Sequence, residues 1–319
     1  TEFADCGFLF LTESCNLRCS HCYVESGPGV GSEMPLQVLE QALSLFCDLG
    51  IADVRLTGGE ATIHSHFDDL VAQMYRQGFK VGLITNGVRF CHEDIDDELW
   101  SNLGRCWVSL YGISAKTHRA ISGRPERTFH DIIKRVGEIA GRGYWIGLSA
   151  LLVPGELGTV ESFLELVEAA GIDRLRFLPL DPDGRARSKF DEVWMQWPQE
   201  LVEIAQKIRQ LAPANLKTLN FNDPFDMNHQ FQRPSQSCFL NERQMWSITA
   251  NGNIYPCCFT ATPSANSIGN VFDTDIKELL RARAGRVPVC RGLSKDFWFG
   301  QVGDRLSCPI RATSLLAER

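Results

Sequence analysis

Short apolar runs alternate with amphipathic segments along the first 180 residues of the chain. Apolar runs of about four to eight residues are typical of buried strands, and apolar positions spaced three and four apart are typical of helices. Six strands are predicted on this basis, at GFLFLT (7–12), ADVRLTGGE (52–60), FKVGLITNG (79–87), CWVSLYG (106–112), YWIGLSALLV (144–153) and DRLRFLPL (173–180). Because each strand leads into helical sequence, the pattern predicts a parallel sheet with right-handed crossovers.

Six strand-helix units fit either a partial barrel or a doubly wound α/β sheet, and the pattern alone leaves this choice open. In both architectures, ligands bind beyond the carboxyl ends of the strands, where the strand-to-helix loops gather. We therefore expect the functional residues in these loops.

The composition indicates a globular protein, because 44% of the 319 residues are hydrophobic and no low-complexity tract interrupts them. No apolar run is long enough to cross a membrane, and the start of the chain lacks the basic and small-residue regions of a signal peptide. We therefore expect a cytoplasmic protein with no membrane partner. The net charge of −7, with no basic patch, disfavours a nucleic acid partner and suits a cationic or neutral substrate.

Twelve cysteines are more than packing requires. Without an export signal, metal binding or catalysis explains them better than disulfides do. Four scattered cysteines are expected to be structural: Cys6, Cys47, Cys91 and Cys106. The others form a tight triplet in CNLRCSHCY (15–23) and a C-terminal group, Cys238, Cys257, Cys258, Cys290 and Cys308.

The triplet, Cys15, Cys19 and Cys22, lies in the loop directly after the first predicted strand. A structural zinc ion takes four ligands, for which His21 is a conceivable fourth. Alternatively, three thiolates on an iron–sulfur cluster leave one iron open to bind a reactant. Both interpretations remain open from the spacing alone.

Cys-x3-Cys-x2-Cys after the first strand, followed by Gly58-Gly59-Glu60 after the second, resembles the radical S-adenosylmethionine (SAM) superfamily over residues 8 to 178. The resemblance implies a partial (β/α)6 TIM-like barrel whose three cysteines hold a 4Fe–4S cluster. In that family the open iron binds SAM, and one electron cleaves SAM to a 5'-deoxyadenosyl radical that abstracts hydrogen from a carbon. It also implies an electron donor such as flavodoxin or ferredoxin.

The same resemblance assigns further residues to the SAM pocket. The backbone of Gly58 and Gly59 is expected to approach the cofactor closely, and Glu60 to contact its amino group. The other residues expected to face SAM are Thr85, Asn86, Ser109, Leu152 and Val153, although the last two are equally typical of core positions. The chain departs from the family at Tyr111, which stands where related enzymes often have an aspartate. His21 is expected to pack beside the cluster.

The C-terminal cysteines carry a second resemblance. Asn251 and Gly252 between apolar runs predict a hairpin that brings Cys238 and Cys257 together. Cys-x13-Gly-x4-Cys followed by SIGNVFDTDIKELLRAR resembles the SPASM and twitch extensions, which carry auxiliary iron–sulfur clusters. This implies a barrel at residues 1–215, a small α+β extension at 216–319, and one auxiliary 4Fe–4S cluster. Its expected ligands are Cys238, Cys257, Cys290 and Cys308, with a four-cysteine zinc site as the alternative.

Cys258, beside the expected ligand Cys257, is a candidate catalytic residue that returns a hydrogen atom to a substrate radical. Alternatively, Cys258 has no catalytic role, or Cys258 is the cluster ligand in place of Cys257. Charged residues near the strand ends are candidates for substrate binding or ordinary solvated groups: Arg124, Arg127, Arg174, Arg176, Asp181, Asp183 and Arg185.

The substrate is predicted with least support from the residues. A small carbohydrate-like natural-product intermediate (an amino sugar, aminocyclitol or nucleoside), to be epimerised, dehydrogenated or decarboxylated, comes first, because we expect no separate leader-peptide-binding domain before the barrel. Radical modification of a ribosomally made peptide comes second, and a zinc-binding interaction module third. Nothing in the sequence indicates the oligomeric state.

Overall fold

The computed structural model describes residues 6–178, 184–186, 198–221, 245–256, 258, 261 and 267–283. Its strands are β1 (Cys6–Thr12), β2 (Asp53–Gly58), β3 (Lys80–Thr85), β4 (Leu103–Leu110), β5 (Ile146–Leu151), β6 (Arg174–Leu178), β7 (Thr218–Phe221), β8 (Met245–Ile248), β9 (Asn253–Tyr255) and β10 (Gly269–Asn270). Its α-helices are α1 (Leu36–Asp48), α2 (Phe67–Arg76), α3 (Asp97–Asn102), α4 (Ala115–Ser122), α5 (Arg127–Gly141), α6 (Val160–Ala169), α7 (Pro198–Leu211) and α8 (Ile276–Arg283). None of the helices in these ranges has the length and apolar character that a bilayer crossing requires.

The six predicted strands are confirmed as β1 to β6, and α1, α2, α5, α6 and α7 are the helices that the amphipathic spacing predicts. The short helices α3 and α4 were not predicted. Each begins at a capping side chain: Asp96 accepts hydrogen bonds from the first turn of α3, and Ser114 accepts one from the N–H of Thr117 in α4. Such caps satisfy helix N–H groups that have no partner within the helix.

The chain forms two compact units. The first contains residues 1–15, 26–82 and 227–319, and its described strands follow the order β10-β9-β8-β1-β2. Strand β1 is parallel to both β2 and β8, whereas β8 and β9 are antiparallel. The turn between β8 and β9 contains Gly252 with a φ of 84°, which confirms the predicted hairpin.

The second unit contains residues 16–25 and 83–226, and β4, β5, β6 and β7 follow one another in it as parallel neighbours. One face of this sheet packs on helices. Phe177 of β6 meets Phe163 of α6 with ring centroids 6.3 Å apart, and Val108 of β4 lines a small apolar cavity with Ile132 of α5. The opposite face is therefore the one that points away from the helices.

The structural units follow contacts within the fold, whereas the predicted modules at 1–215 and 216–319 follow sequence motifs. The module boundary therefore stays a prediction.

Candidate functional site

The loop after β2 lies directly against the end of β1. The N–H of Gly59 donates to the carbonyl of Thr12 at 2.8 Å, and the N–H of Glu60 donates to that of Ser14 at 3.0 Å. Gly58 has a φ of 129°, and a Cβ on Gly59 would lie 2.1 Å from the Ser14 carbonyl oxygen. Only glycine fits at these two positions, because the neighbouring atoms are backbone. Cys15, the first of the triplet, follows Ser14.

Glu60 is buried at the N-terminus of the short 3-10 helix Ala61–Ile63. One of its carboxylate oxygens accepts hydrogen bonds from the N–H of Thr62 at 3.2 Å and from its hydroxyl at 2.7 Å. This carboxylate therefore caps the helix. Its expected contact with the amino group of SAM stays a prediction.

Cys19 and Cys22 lie on a tight turn in the second unit. The N–H of Cys22 donates to the carbonyl of Cys19 at 3.3 Å, and the N–H of Ser20 donates to the carbonyl of Ile121 in α4 at 3.0 Å. Cys19 is buried and Cys22 is half-buried, and like Cys15 they are present as thiols. Nowhere in the described part of the chain do three His, Cys, Asp or Glu side chains converge as a single metal ion would require.

His21, between these two cysteines, begins a column of rings. Its ring centroid is 4.8 Å from that of Tyr111, which lies 5.3 Å from the ring of His118 and stacks on it. Burial, followed by the charge of Arg185, lowers the pKa of His21 to about 4. Its Nδ1 is buried and has no hydrogen-bond partner in the described residues. Tyr111 thus packs beside the cysteine turn.

His118 holds Tyr111 in this column. Its Nδ1 accepts a hydrogen bond from the N–H of Tyr111 at 3.3 Å, so the neutral ring carries its proton on Nε2. Burial lowers the pKa of His118 to about 4. The imidazole is therefore neutral at physiological pH.

The Thr85-Asn86-Gly87 segment forms the turn after β3. The Thr85 hydroxyl accepts from the N–H of Gly87, and the Asn86 side-chain oxygen accepts from the N–H of Val88, each at 3.0 Å. The amide nitrogen of Asn86 donates to the side-chain oxygen of Asn16 at 2.7 Å. Asn86 therefore links the turn to the residue that follows Cys15. Sequence reasoning did not single out Asn16.

One polar row crosses the face of the second unit's sheet that points away from the helices. Its members occupy the same level of register on β4 to β7: Ser109, Ser149, Arg176 and Asn220. We call these four residues the polar layer. The Nε of Arg176 donates to the Ser149 hydroxyl at 3.1 Å, and its guanidinium lies 4.6 Å from the centre of the Trp107 ring.

Such a layer is unusual, because parallel strands covered on both faces are normally apolar throughout and barrel interiors are filled by bulky branched side chains. Arg174, one level below, pairs with Asp173 and lies over the Trp145 ring. The two candidate arginines of β6 therefore differ: Arg174 belongs to an ion pair at the base of the strand, and Arg176 to the polar layer.

The remaining predicted residues are distributed as follows. Leu152 is fully buried and its N–H donates to the Leu178 carbonyl at 3.1 Å, as a core residue does, whereas Val153 is half-buried. Cys258 is half-buried. Residues outside the described part of the chain are Cys238, Cys257, Cys290, Cys308, Asp181 and Asp183.

The scattered cysteines divide into two groups. Cys6 and Cys106 are buried within strands, as expected of structural cysteines, whereas Cys47 is exposed on α1. Cys91 is half-buried, and burial raises the pKa of its thiol to about 11. At neutral pH it is therefore a thiol rather than a thiolate, the less nucleophilic form.

Comparison with known families gives two matches. Residues 9–175, more than half of the chain, match the model of the radical SAM superfamily. The chain belongs to the radical SAM superfamily. Residues 238–297 match the SPASM model, described as an iron–sulfur cluster-binding domain. That match includes Cys238, Cys257, Cys258 and Cys290, but it ends before Cys308.

Family membership confirms the predicted fold class, an α/β partial barrel with a cysteine-rich C-terminal extension. It also confirms the predicted cofactors: SAM, the 4Fe–4S cluster that binds it, and an iron–sulfur cluster in the C-terminal extension. The described residues fit these groups, since thiols follow β1 and a glycine pair lies against the loop that begins the cysteine motif.

Three relatives of this radical SAM protein illustrate how far its sequence differs from those it resembles. The antilisterial bacteriocin subtilosin biosynthesis protein AlbA of Bacillus subtilis is 19% identical over 281 residues, which cover 85% of this chain and 58% of AlbA. The sporulation killing factor maturation protein SkfB of the same species is 25% identical, with 85% and 63% coverage. A probable GTP 3',8-cyclase of Pyrobaculum aerophilum is 23% identical, with 85% and 89% coverage. The chain thus spans less than two thirds of AlbA and SkfB.

Two solved structures share the fold. Streptococcus suis SuiB bound to S-adenosylmethionine superposes with a TM-score of 0.64 at 16% identity, covering 87% of this chain and 65% of SuiB. The structure of anSMEcpe with bound AdoMet and the Cp18Cys peptide gives a TM-score of 0.62 at 16% identity, with 98% and 94% coverage. At this identity the likeness shows the fold alone.

Proposed function

We propose that this radical SAM enzyme modifies a ribosomally made peptide by abstracting hydrogen from one of its residues, leading to epimerisation or a crosslink. The support comes from its relatives. AlbA and SkfB are named for the biosynthesis and maturation of a bacteriocin and a killing factor, and SuiB has been solved with its precursor peptide SuiA. This was the second of the substrate classes predicted from the sequence, and the comparisons favour it over the first.

The carbohydrate-like substrate, an amino sugar, aminocyclitol or nucleoside, stays a prediction. Relatives whose names concern small molecules include probable GTP 3',8-cyclases, molybdenum cofactor biosynthesis proteins and an AdoMet-dependent heme synthase. A small molecule is therefore the second candidate substrate class.

The cluster ligands that we propose are Cys15, Cys19 and Cys22. When bound, the cluster supplies the electron that cleaves SAM to the 5'-deoxyadenosyl radical. The SAM contacts proposed from the family motifs are Gly58, Gly59, Glu60, Thr85, Asn86, Ser109, Leu152 and Val153. Of these, Gly58 and Gly59 have the strongest structural support, because they admit no side chain.

The substrate is proposed to lie against the polar layer. Ser109 is one of the proposed SAM contacts, and Arg176 is two strands away on the same level. Adjacent strands are about 4.8 Å apart, so a substrate held near Arg176 would be about 10 Å from the strand that ends beside SAM. A guanidinium fixed on an indole ring and a serine hydroxyl is well suited to bind a peptide carboxylate or carbonyl.

The C-terminal extension contributes the remaining roles. Cys238, Cys257, Cys290 and Cys308 are proposed to hold one auxiliary cluster. Cys258 is proposed to return hydrogen: its S–H bond breaks, the hydrogen atom joins the substrate carbon radical, and the sulfur is left as a thiyl radical. One electron, from a donor such as flavodoxin or ferredoxin, and one proton would then restore the thiol.

The proposal is tested with protein reconstituted anaerobically and supplied with dithionite and SAM. We expect release of 5'-deoxyadenosine, which replacement of Cys15, Cys19 and Cys22 by alanine abolishes and which Cys47→Ala leaves intact. Short peptides encoded beside the gene are then compared with a panel of amino sugars and aminocyclitols. The peptide should stimulate the release and change in mass, by crosslinking or by deuterium uptake in D2O. Stimulation by the sugars alone would refute the peptide class.

A further inference from the structure

We propose that Arg185 is a positioning residue for the SAM-binding cluster: the short 3-10 helix Gly184–Ala186 braces the turn that carries Cys19 and Cys22 and fixes a positive charge beside it. The inference rests on the proposed role of these two cysteines as cluster ligands. It does not depend on whether the substrate is a peptide or a small molecule.

Arg185 contacts the cysteine turn through both its side chain and its backbone. Its Nε donates to the carbonyl of Cys19 at 2.9 Å, and its N–H donates to the carbonyl of Cys22 at 3.1 Å. One residue therefore ties together the carbonyl groups of two proposed ligands. A backbone held at both of these residues fixes where their thiols point, which a cluster site requires of the protein around it.

Gly184 explains how the 3-10 helix Gly184–Ala186 comes so close to the cysteine turn. It has a φ of 57°, and a Cβ on it would lie 2.5 Å from the Tyr23 carbonyl oxygen and 2.6 Å from that of Cys22. Any larger residue at position 184 would therefore push the 3-10 helix away from the cysteine turn, because the carbonyl groups of Cys22 and Tyr23 are backbone and cannot move aside on their own. Gly184 therefore permits the close approach of the two segments, and Arg185 makes the hydrogen bonds between them.

Other contacts of the same stretch of chain include the hydrogen bonds of Asn86 with Asn16 and of Ser20 with Ile121. Both join neutral groups, so of these three attachments the one made by Arg185 brings a charge.

A fixed cation next to the ligands has a predictable effect on the cluster. Reduction by one electron makes the cluster more negative, and a nearby positive charge stabilises that reduced form. Net charge and hydrogen bonding around the ligands are among the factors that set the reduction potentials of iron–sulfur clusters. Arg185 should therefore raise the potential of the SAM-binding cluster and make its reduction easier.

The test compares Arg185→Gln, Arg185→Lys and the control Arg119→Gln, which removes an exposed arginine of α4. The readouts are the iron content of the reconstituted chain and the midpoint potential of the electron paramagnetic resonance signal that changes when SAM is added. We expect Arg185→Gln to lower the ratio of reduced to oxidised cluster at a fixed potential about tenfold, which is about 59 mV for one electron. Arg185→Lys should keep most of the wild-type potential, and Arg119→Gln all of it.

Gly184→Ala is the second variant, for the case in which Arg185→Gln does not fold. This variant keeps Arg185 but displaces the 3-10 helix Gly184–Ala186 from the cysteine turn. We therefore expect a lower midpoint potential of the cluster and a broadened electron paramagnetic resonance signal. Wild-type potentials in both Arg185→Gln and Gly184→Ala would overturn the proposal, and so would equal lowering in the lysine and glutamine variants. Retention of the SAM-responsive signal when Cys19 and Cys22 are replaced would instead refute their role as ligands, which is a different result.

Discussion

Both carboxylate oxygens of Glu156 accept a hydrogen bond from the N–H of Ile113, at 3.1 Å each. One of them also accepts from the Ser114 hydroxyl at 2.9 Å. Glu156 is buried, and desolvation raises its pKa while these hydrogen bonds oppose the rise. The carboxylate lies at the N-terminus of α4, where helix N–H groups favour an acceptor. It therefore fixes the loop between β4 and α4, on which Tyr111 lies.

Removing this carboxylate should destabilise the fold. Glu156→Ala leaves the buried N–H of Ile113 without its acceptor, so we expect a loss of about 1–3 kcal/mol in the free energy of unfolding. Urea denaturation of the cluster-free chain measures it. The control is Glu165→Ala, an exposed glutamate of α6 that should change stability by no more than about 0.5 kcal/mol. Equal stabilities of the two variants would contradict the role given to Glu156.

Acid should destabilise the protein partly through His118. Its pKa is about 4 in the folded chain against an ordinary value of 6.5, so between these pH values the unfolded chain binds the proton more readily. The stabilisation is thus present above pH 6.5 and is lost as the pH falls towards 4. From the shift, wild type should lose about 3 kcal/mol more than His118→Asn between pH 7 and pH 4.

The measurement for His118 is the free energy of unfolding in urea at a series of pH values. Asparagine is chosen because its side-chain oxygen can accept the hydrogen bond from Tyr111. His92→Asn, at an exposed position, serves as the control and should follow wild type. Parallel pH profiles for wild type and His118→Asn would show that the imidazole is not kept neutral by burial.

Gly59 should tolerate no side chain. In Gly59→Ala the new Cβ would lie 2.1 Å from the Ser14 carbonyl oxygen and 2.8 Å from that of Glu13, so the backbone before Cys15 has to shift. We expect a stability loss of about 1–3 kcal/mol together with weaker SAM retention in equilibrium dialysis. Gly158→Ala, where no atom lies within 4 Å of the added Cβ, is the matched control. Wild-type SAM binding by Gly59→Ala would exclude a close approach of the cofactor there.

Arg176 should affect substrate turnover and not SAM cleavage. Because we place it in the polar layer with the substrate, Arg176→Gln is expected to lower substrate conversion tenfold or more, a loss of at least about 1.4 kcal/mol in transition-state stabilisation. Slow release of 5'-deoxyadenosine without substrate should remain within about threefold of wild type. Arg142→Gln, which removes an exposed partner of Asp97, should change neither rate. A parallel fall in both rates for Arg176→Gln would argue for a purely structural role.

Cys258 should determine how the substrate radical is quenched. In D2O its S–H exchanges to S–D, so an epimerised product should carry deuterium at the inverted carbon. In Cys258→Ala we expect 5'-deoxyadenosine to be formed without epimerised product, as read by mass spectrometry. Cys47→Ala, at an exposed cysteine of α1, should retain labelling. Unchanged deuterium uptake by Cys258→Ala would assign the hydrogen donor to another group.

The sequence predicted the strands well because they are short segments rich in apolar residues between turn residues, as in GFLFLT and FKVGLITNG. It missed β7, a strand of only four residues, in which Thr218, Leu219 and Asn220 are half-buried. Helices α3 and α4 were missed because they are short, although Asp96 and Ser114 are capping residues that could have indicated them. Local signals therefore predicted the long elements, and the short ones depend on their tertiary surroundings.

The sequence predicted the candidate site only where its residues follow a short, fixed spacing along the chain. The cysteine triplet and the glycine pair are such cases, and the family match covers both. Asn16 and Arg185 are not, because their roles depend on which distant segment folds back onto the cysteine turn. Arg185 was expected to be a substrate-binding or solvated residue, yet the structure places it on the carbonyls of Cys19 and Cys22. Likewise, no short motif in the sequence indicates the substrate class, which we propose from the names of relatives.

The contact between Arg185 and Cys19 joins residues 166 positions apart in the chain. Closing so long a loop costs chain entropy before the contact is gained, and contacts between such distant residues form slowly. The cysteine turn therefore acquires its final support only after β6 has been synthesised and paired. We expect a nascent chain that has not yet emerged as far as residue 185 to retain iron poorly, so metal delivery in the cell has to wait for translation of most of the barrel.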